Sequence, residues 1–248
     1  MPHPEGFAPD WPAPANVHAW QTTRHGGVSA APYASLNLGD HVGDDPRAVL
    51  ANRQAVSVHA RLPAEPLWLT QVHGTRVAVA GQDAQGCEAD AALARSVAGG
   101  GGVAAIMTAD CLPVLFCDEA GSVVAAAHAG WRGLAGGVLE ATVAAMGAAP
   151  ERVLAWLGPA IGPTAFEVGD EVRAAFVGQD GDAAAAFAPG VPGKWLADLY
   201  ALARLRLGRI GVTRVYGGGE CTFGQADRYF SYRREARTGR MASLIWLD

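Results

Sequence analysis

An α+β fold, with mixed β-sheets and helices packed outside them in one continuous domain, is the architecture this sequence predicts. Three observations carry that expectation. Strand-like apolar runs and helix-period segments are mixed without the strict alternation that a doubly wound α/β sheet requires. The 248 residues lie near the upper end of a single domain, and no long linker divides them. Half of the residues are hydrophobic and 17% are charged, enough apolar material for one sizeable core.

The elements follow in chain order. The first 14 residues, MPHPEGFAPDWPAP, read as irregular and carry neither a basic start nor an apolar core, so no secretory signal is expected there. Asp44-Asp45-Pro46 predicts a helix start, an Asp cap followed by proline in the first turn, leading into RAVLANRQAVSVHARL. Pro63 and Pro66 end that helix before a strand candidate, LWLTQVH. Val103–Met107, Pro113–Phe116 and Ser122–His128 are β-branched or continuous apolar runs, and each reads as a strand. Beyond His128 the period turns helical: Leu134, Val138, Ala141 and Ala145 fall on one face. Arg152–Leu157 predicts a strand that stops at Gly158-Pro159, and the Ala/Gly-rich residues 178–192 read as a loop. A helix is expected from about Trp195 to Arg209, followed by strands at Val212–Tyr216 and Met241–Leu247.

Several function classes drop out on composition and motif. The net charge of −5 argues against a general nucleic-acid or anionic-membrane binder. No stretch approaches the roughly 20 apolar residues that span a bilayer. Four cysteines without a CxxC pair do not form a disulfide framework, and a cytosolic, cytoplasmic protein is expected. GxxxxGK[ST], GxSxG and HExxH are absent. Gly99, Gly101 and Ala104 fit GxGxx[GA], but that run precedes a strand where a dinucleotide motif must follow one.

Chemistry therefore has to come from residues that the fold brings together. His73, Cys111 and His128 each close or open an apolar run beside Gly or Pro, where a rigid scaffold presents side chains into a cleft. Their spacing alone does not establish convergence, and each taken singly is as readily a structural residue. Residues 204–240 hold nine arginines against Glu220, Asp227 and Glu235, a local positive surplus that reads as a solvated face or as anion clamps.

The segments TRHGGVS (23–29), LNLGDHVGDD (36–45), QVHG (71–74), TADCLPVLF (108–116), AAHAGWRGL (126–134), GPAIGP with FEVG (158–169) and SYRREARTGRMAS (231–243) resemble the YfiH-type family. Its members are also called laccase-domain proteins, peptidoglycan editing factors or purine nucleoside phosphorylases. The motifs recur in order over nearly the whole chain, so the resemblance implies one catalytic domain across residues 1–248. The implied fold has two sheets layered between helices, like that of a toxin deamidase of the CNF type, with a metal in a cleft at strand ends.

The resemblance makes His73, Cys111 and His128 the catalytic zinc ligands. Three protein ligands leave a fourth position open, as catalytic zinc sites do. It further implies phosphorolysis of adenosine, inosine or methylthioadenosine to base and ribose 1-phosphate, with adenosine deamination as a second activity. The expected partners are a purine nucleoside and inorganic phosphate. Arg24, Arg132, Arg233 and Arg240 are candidate phosphate ligands, Arg132 foremost because it lies at a Gly-rich helix start. Asn37 is a candidate for ribose or base. Asp110 is a candidate to orient a ligand or cap a turn, and Glu167 a candidate helix cap. Cys87, Cys117 and Cys221 read as structural. Competing readings are a metal-free Cys–His hydrolase or deamidase using Cys111, a copper polyphenol oxidoreductase, since such a site accepts copper in vitro, and an editing factor for peptidoglycan precursors.

Overall fold

The computed structural model describes residues 3–96 and 101–248. Gly99, in the glycine run that resembles a dinucleotide motif, lies outside the described residues. Two sheets lie face to face. One has five strands in the order Gly6–Phe7, Val17–Thr22, Met241–Leu247, Val103–Thr108, Pro66–Leu67. The other has six, in the order Arg214–Gly217, Val153–Leu157, Leu112–Asp118, Val123–Ala129, Ala91–Arg95, Val77–Val79. Both sheets mix parallel and antiparallel pairs.

The period of two along each strand explains the layering. In Leu112–Asp118, Leu115 and Cys117 face the five-stranded sheet and pack with Ile106, Ile245 and Leu247. Val114 and Phe116 face the other way, onto Leu134, Val138, Leu139 and Leu202 of the covering helices. Strands buried on both faces read as continuous apolar runs, which is why VVAAAHA shows no polar alternation. Helix Pro46–His59 lies outside the five-stranded sheet, where Val56 joins Val103, Ala105 and Leu244 in one cluster. The result is the α+β single domain expected, with two sheets between helical layers. A third sheet of three short strands, Glu167–Gly169, Lys194–Ala197 and Phe187–Pro189, sits at the periphery. No helix among the described residues is long and apolar enough to cross a membrane.

Several expected boundaries change. The first 14 residues are not wholly irregular, because Gly6–Phe7 pairs with Gln21–Thr22. LWLTQVH is not one strand: Pro66–Leu67 pairs with Val103–Ala104, and the chain then leaves that sheet edge, Thr70 making an isolated bridge to Glu88. The Gln71 amide takes over the pairing instead, donating to Met107 O and accepting from Met107 N, both at 2.8 Å. The helix after His128 breaks at Gly137, whose φ of 99° separates Trp131–Gly136 from Val138–Met146. Trp195 belongs to a strand, and the helix starts at Leu199 because Asp198 accepts from Ala201 N at 3.0 Å. Residues 178–192 contain a 3₁₀ turn, Gly181–Ala186, and the strand Phe187–Pro189 rather than a plain loop. Glu167 lies in a strand and does not cap the helix Asp170–Val177, whose N-cap is Gly169.

Candidate metal centre and substrate cleft

The crossing from one sheet to the other creates the site. Thr108 ends a strand of the five-stranded sheet and Leu112 begins one of the six-stranded sheet, so residues 109–111 bridge the mouth between them. Asp110 turns the chain there with a φ of 93°, a conformation costly for a side chain bearing Cβ. Its carboxylate is spent on holding that turn. Oδ1 accepts from the Thr222 hydroxyl at 2.7 Å and Oδ2 from Arg233 N at 2.6 Å. Asp110 is thus the turn carboxylate of its two sequence readings, and Cys111 follows it into the cleft.

His128 lies in strand Val123–Ala129, in register with Pro113. Its Nδ1 meets Asp90 Oδ1 at 2.8 Å, which leaves Nε2 to face the cluster. His73 sits in the 71–74 loop, not at a strand end, with a φ of 61°. Asp90 also explains that conformation: it accepts from Val72 N, His73 N and Gly74 N at 3.1, 2.9 and 2.6 Å. One buried carboxylate therefore shapes the turn bearing one histidine and orients the ring of the other. Sequence reasoning missed Asp90, which lies in no quoted motif.

The three ligating atoms, from His73, Cys111 and His128, all lie within 4.8 Å of one another. Cys111 Sγ is 3.9 Å from His73 Nε2, and the two imidazole centroids are 4.8 Å apart at 64°. Zinc bonds of about 2.0–2.3 Å would bring sulfur and nitrogen to nearly that separation around one ion. Two nitrogens and a thiolate are donors suited to zinc or copper. The residues fit one metal. Gly130 is required beside it, because a Cβ there would lie 2.8 Å from Cys111 Sγ and 2.9 Å from His73 Cδ2.

The electrostatics favour a thiolate at Cys111, the form in which it would bind a metal. Burial alone would keep the Cys111 thiol protonated, but the charge on His128 and hydrogen bonding with both histidines bring it down to about 6. Burial likewise opposes imidazolium at His128, yet the Cys111 thiolate and Asp90 raise it to about 9. Asp90 is desolvated too; hydrogen bonds from His128, Gly74 and His73 nevertheless hold it below the usual carboxylate range. Cys117, fully buried in the core, is pushed up to about 12 by desolvation and is an inert thiol.

The cluster opens onto a cleft of about 470 Å³, lined also by His41, Gln71, Tyr232, Arg132 and Arg240. Arg132 and Arg240 are thus brought to the ligands. Arg240 arrives by strand pairing: Met241 is in register with Thr108, which sets the preceding arginine beside residues 109–111. Arg132 lies over the Trp131 ring at 4.5 Å, on a helix of only six residues, Trp131–Gly136.

The other candidates sit elsewhere. Arg24 is engaged with Ala34 O and Ala226 O and lies 4.8 Å over the Phe230 ring. Asn37 is fully buried; its amide holds Gly39, Asp44 and the Arg240 backbone, so it ties two loops together and does not reach the cleft. Arg233 donates to Glu167 O at 2.8 Å and lines an adjoining pocket instead of the cleft. The C-terminal arginine surplus is mostly spent on structure. Arg204 and Arg234 donate to backbone carbonyls, and Arg206, Arg209, Arg214 and Arg228 pair with acidic side chains. His41 and Gln71, left unassigned by sequence, were visible only as members of the LNLGDHVGDD and QVHG segments.

Comparison with known proteins bears on the family and the fold. A family model described as multi-copper polyphenol oxidoreductase laccase matches residues 18–248. Purine nucleoside phosphorylase PA4543 of Pseudomonas aeruginosa is 59% identical over 243 residues, 98% of each chain. Purine nucleoside phosphorylase YfiH of Escherichia coli is 54% identical over 242 residues, 97% of this chain and 98% of that one. The crystal structure of NMB0706, a DUF152 protein of Neisseria meningitidis, has a TM-score of 0.92 at 56% identity, across 98% of this chain and 99% of its own. The chain belongs to this laccase-like family, the YfiH-type proteins.

Proposed function

We propose that this chain is a metal-dependent purine nucleoside phosphorylase, acting as one catalytic domain in the cytoplasm on adenosine, inosine or methylthioadenosine. The observation that carries this reading is the pairing of a His₂Cys cluster with Arg132 and Arg240 in one cleft whose lining contains no carboxylate. Relatives of high identity carry the name purine nucleoside phosphorylase. His73, Cys111 and His128 would hold zinc, which would supply Lewis-acid polarisation when bound. Arg132 and Arg240 would hold inorganic phosphate against the nucleoside and offset its charge as a new bond forms. A phosphate oxygen bonds to C1′ while the C1′–N9 bond breaks. The electron pair leaves with the purine, whose N9 takes the proton that the phosphate gives up.

Deamination of adenosine is the weaker activity in this account. Zinc deaminases need a carboxylate that shuttles protons, and both Asp110 and Asp90 have their oxygens committed to other hydrogen bonds. A metal-free Cys–His hydrolase would use the same lowered Cys111 thiol. The second histidine, His73, directed at the same sulfur, favours a metal instead. A single three-donor set also suits one ion better than a multinuclear copper cluster. The test is product analysis with adenosine. Adenine and ribose 1-phosphate should accumulate only when phosphate is present, with inosine a minor product. Adenine released equally without phosphate would make the protein a hydrolase.

A further inference from the structure

A second cavity, of about 130 Å³, adjoins the basic cleft at Cys111. Its character is opposite. Trp131, Ile161, Phe166, Leu199 and Tyr232 supply apolar and aromatic walls, and Arg233 borders them with its guanidinium 5.5 Å from the Phe166 ring centroid. Ala109, Cys111 and Tyr232 line both spaces, so the two meet at the sulfur of the ligand cluster. Tyr232 is 57% exposed although it is a large aromatic side chain standing at this junction. Asp110 also borders the cavity, with its carboxylate oxygens accepting from the Thr222 hydroxyl and from Arg233 N.

Neighbouring apolar and basic spaces that share one wall match a ligand with a flat aromatic end and an anionic end. A purine has two π-faces that stack on aromatic side chains, and its ring offers hydrogen-bond acceptors to a bordering guanidinium. Phosphate takes nothing from an apolar wall and needs positive charge. We infer that the aromatic cavity formed by Trp131, Phe166 and Tyr232 is the purine-base subsite, separate from the phosphate subsite at Arg132 and Arg240. The inference rests on the phosphorylase reading and refines it. With the base in one space and the phosphate in the other, the glycosidic bond falls beside Cys111, which lines both. Phe166 thereby becomes a specificity residue that acts on base affinity and leaves phosphate affinity alone, whereas Tyr232 lines both spaces and lies 5.9 Å from the Arg240 guanidinium.

The experiment measures binding of adenine and of orthophosphate separately, by calorimetry, to the metal-loaded protein. Phe166→Leu keeps the apolar volume and removes the π-face. Tyr232→Ala removes an exposed ring that the fold does not need. Each should weaken adenine binding by about tenfold, with orthophosphate affinity unchanged in Phe166→Leu, and Tyr232→Phe should restore adenine affinity. Arg132→Ala should do the converse. Unchanged adenine affinity in both ring variants, or a parallel fall in adenine and phosphate affinity in Phe166→Leu, would overturn the subsite. Phosphate-dependent cleavage of adenosine by the wild type separates the two claims. Cleavage with no contribution of Phe166 or Tyr232 to adenine binding removes the subsite and keeps the phosphorylase. Adenine binding that depends on both rings, without phosphate-dependent cleavage, keeps the subsite and removes the phosphorylase. Neither binding nor cleavage overturns both.

Discussion

Asp90 accepts from three consecutive backbone N–H groups and from His128, and the geometry of two proposed metal ligands depends on it. Replacing it by Asn keeps the size but exchanges one acceptor oxygen for a donor, which faces N–H groups it cannot pair with. Asp90→Asn should weaken metal binding by about 10–100-fold. Competition with a chromophoric chelator reads this directly, and an unchanged affinity would remove Asp90 from the design. At the same scale, Arg132→Ala should cost about 2–4 kcal/mol of transition-state stabilisation in phosphorolysis. The loss belongs in kcat/KM for phosphate, with the minor deamination much less affected. Equal losses in both reactions would make Arg132 a structural residue. At this level the sequence was readable where residue type carries chemistry: His73, Cys111 and His128 stood in segments with family resemblance. Asp90 was not, because an aspartate before an alanine-rich strand has no local mark of its role. Asn37 shows the reverse, a polar residue in a motif that proves to be buried scaffolding.

Elements were legible where a local signal fixed them and blurred where tertiary pairing decided. Asp45 with Pro46 predicted the first helix because cap and proline act within one turn. LWLTQVH misled because its β-branched and aromatic content says nothing about where a sheet edge ends. Beyond Leu67 the Gln71 amide, not the backbone, meets Met107. Trp195 misled through a helical period that ran backward across Asp198 into a strand. The hairpin between Leu112–Asp118 and Val123–Ala129 carries the Cys111 and His128 ends of the site, and Asp118 fixes its turn. Its carboxylate accepts from Ser122 N at 2.7 Å, Val123 N at 3.0 Å and the Ser122 hydroxyl at 2.7 Å. Desolvation works against the charge, but these hydrogen bonds hold the carboxyl below its ordinary value. A depressed folded-state pKa means stability that is fully present above the unfolded value of about 3.9 and is lost as pH falls through the folded one. Asp118→Asn should therefore lower stability at pH 7 by about 1–3 kcal/mol. The gap from wild type should shrink below pH 4 in denaturant titrations. A gap that persists at low pH would mean the loss is not electrostatic.

On the scale of the whole molecule, the site exists because two sheets lie face to face and the chain crosses between them at residues 109–111. The pairing of Met241 with Thr108 brings the last strand to the same edge, and with it Arg240. That pairing joins residues far apart in sequence, and nothing in the local pattern of either strand specifies it. The α+β class was legible from continuous apolar runs and helix periods and the layering from the family resemblance, whereas the convergence of three ligands and two arginines on one cleft required the tertiary fold. The central claim, that His73, Cys111 and His128 hold one catalytic metal, is tested most directly by metal analysis of protein purified without a metal-affinity tag, paired with phosphate-dependent adenine release. Wild type should carry about one zinc per chain. Cys111→Ser should lose the metal and the activity while remaining folded, and chelated wild type should recover activity when zinc is returned. Wild type that is free of metal and still cleaves adenosine in the presence of chelator would contradict the account.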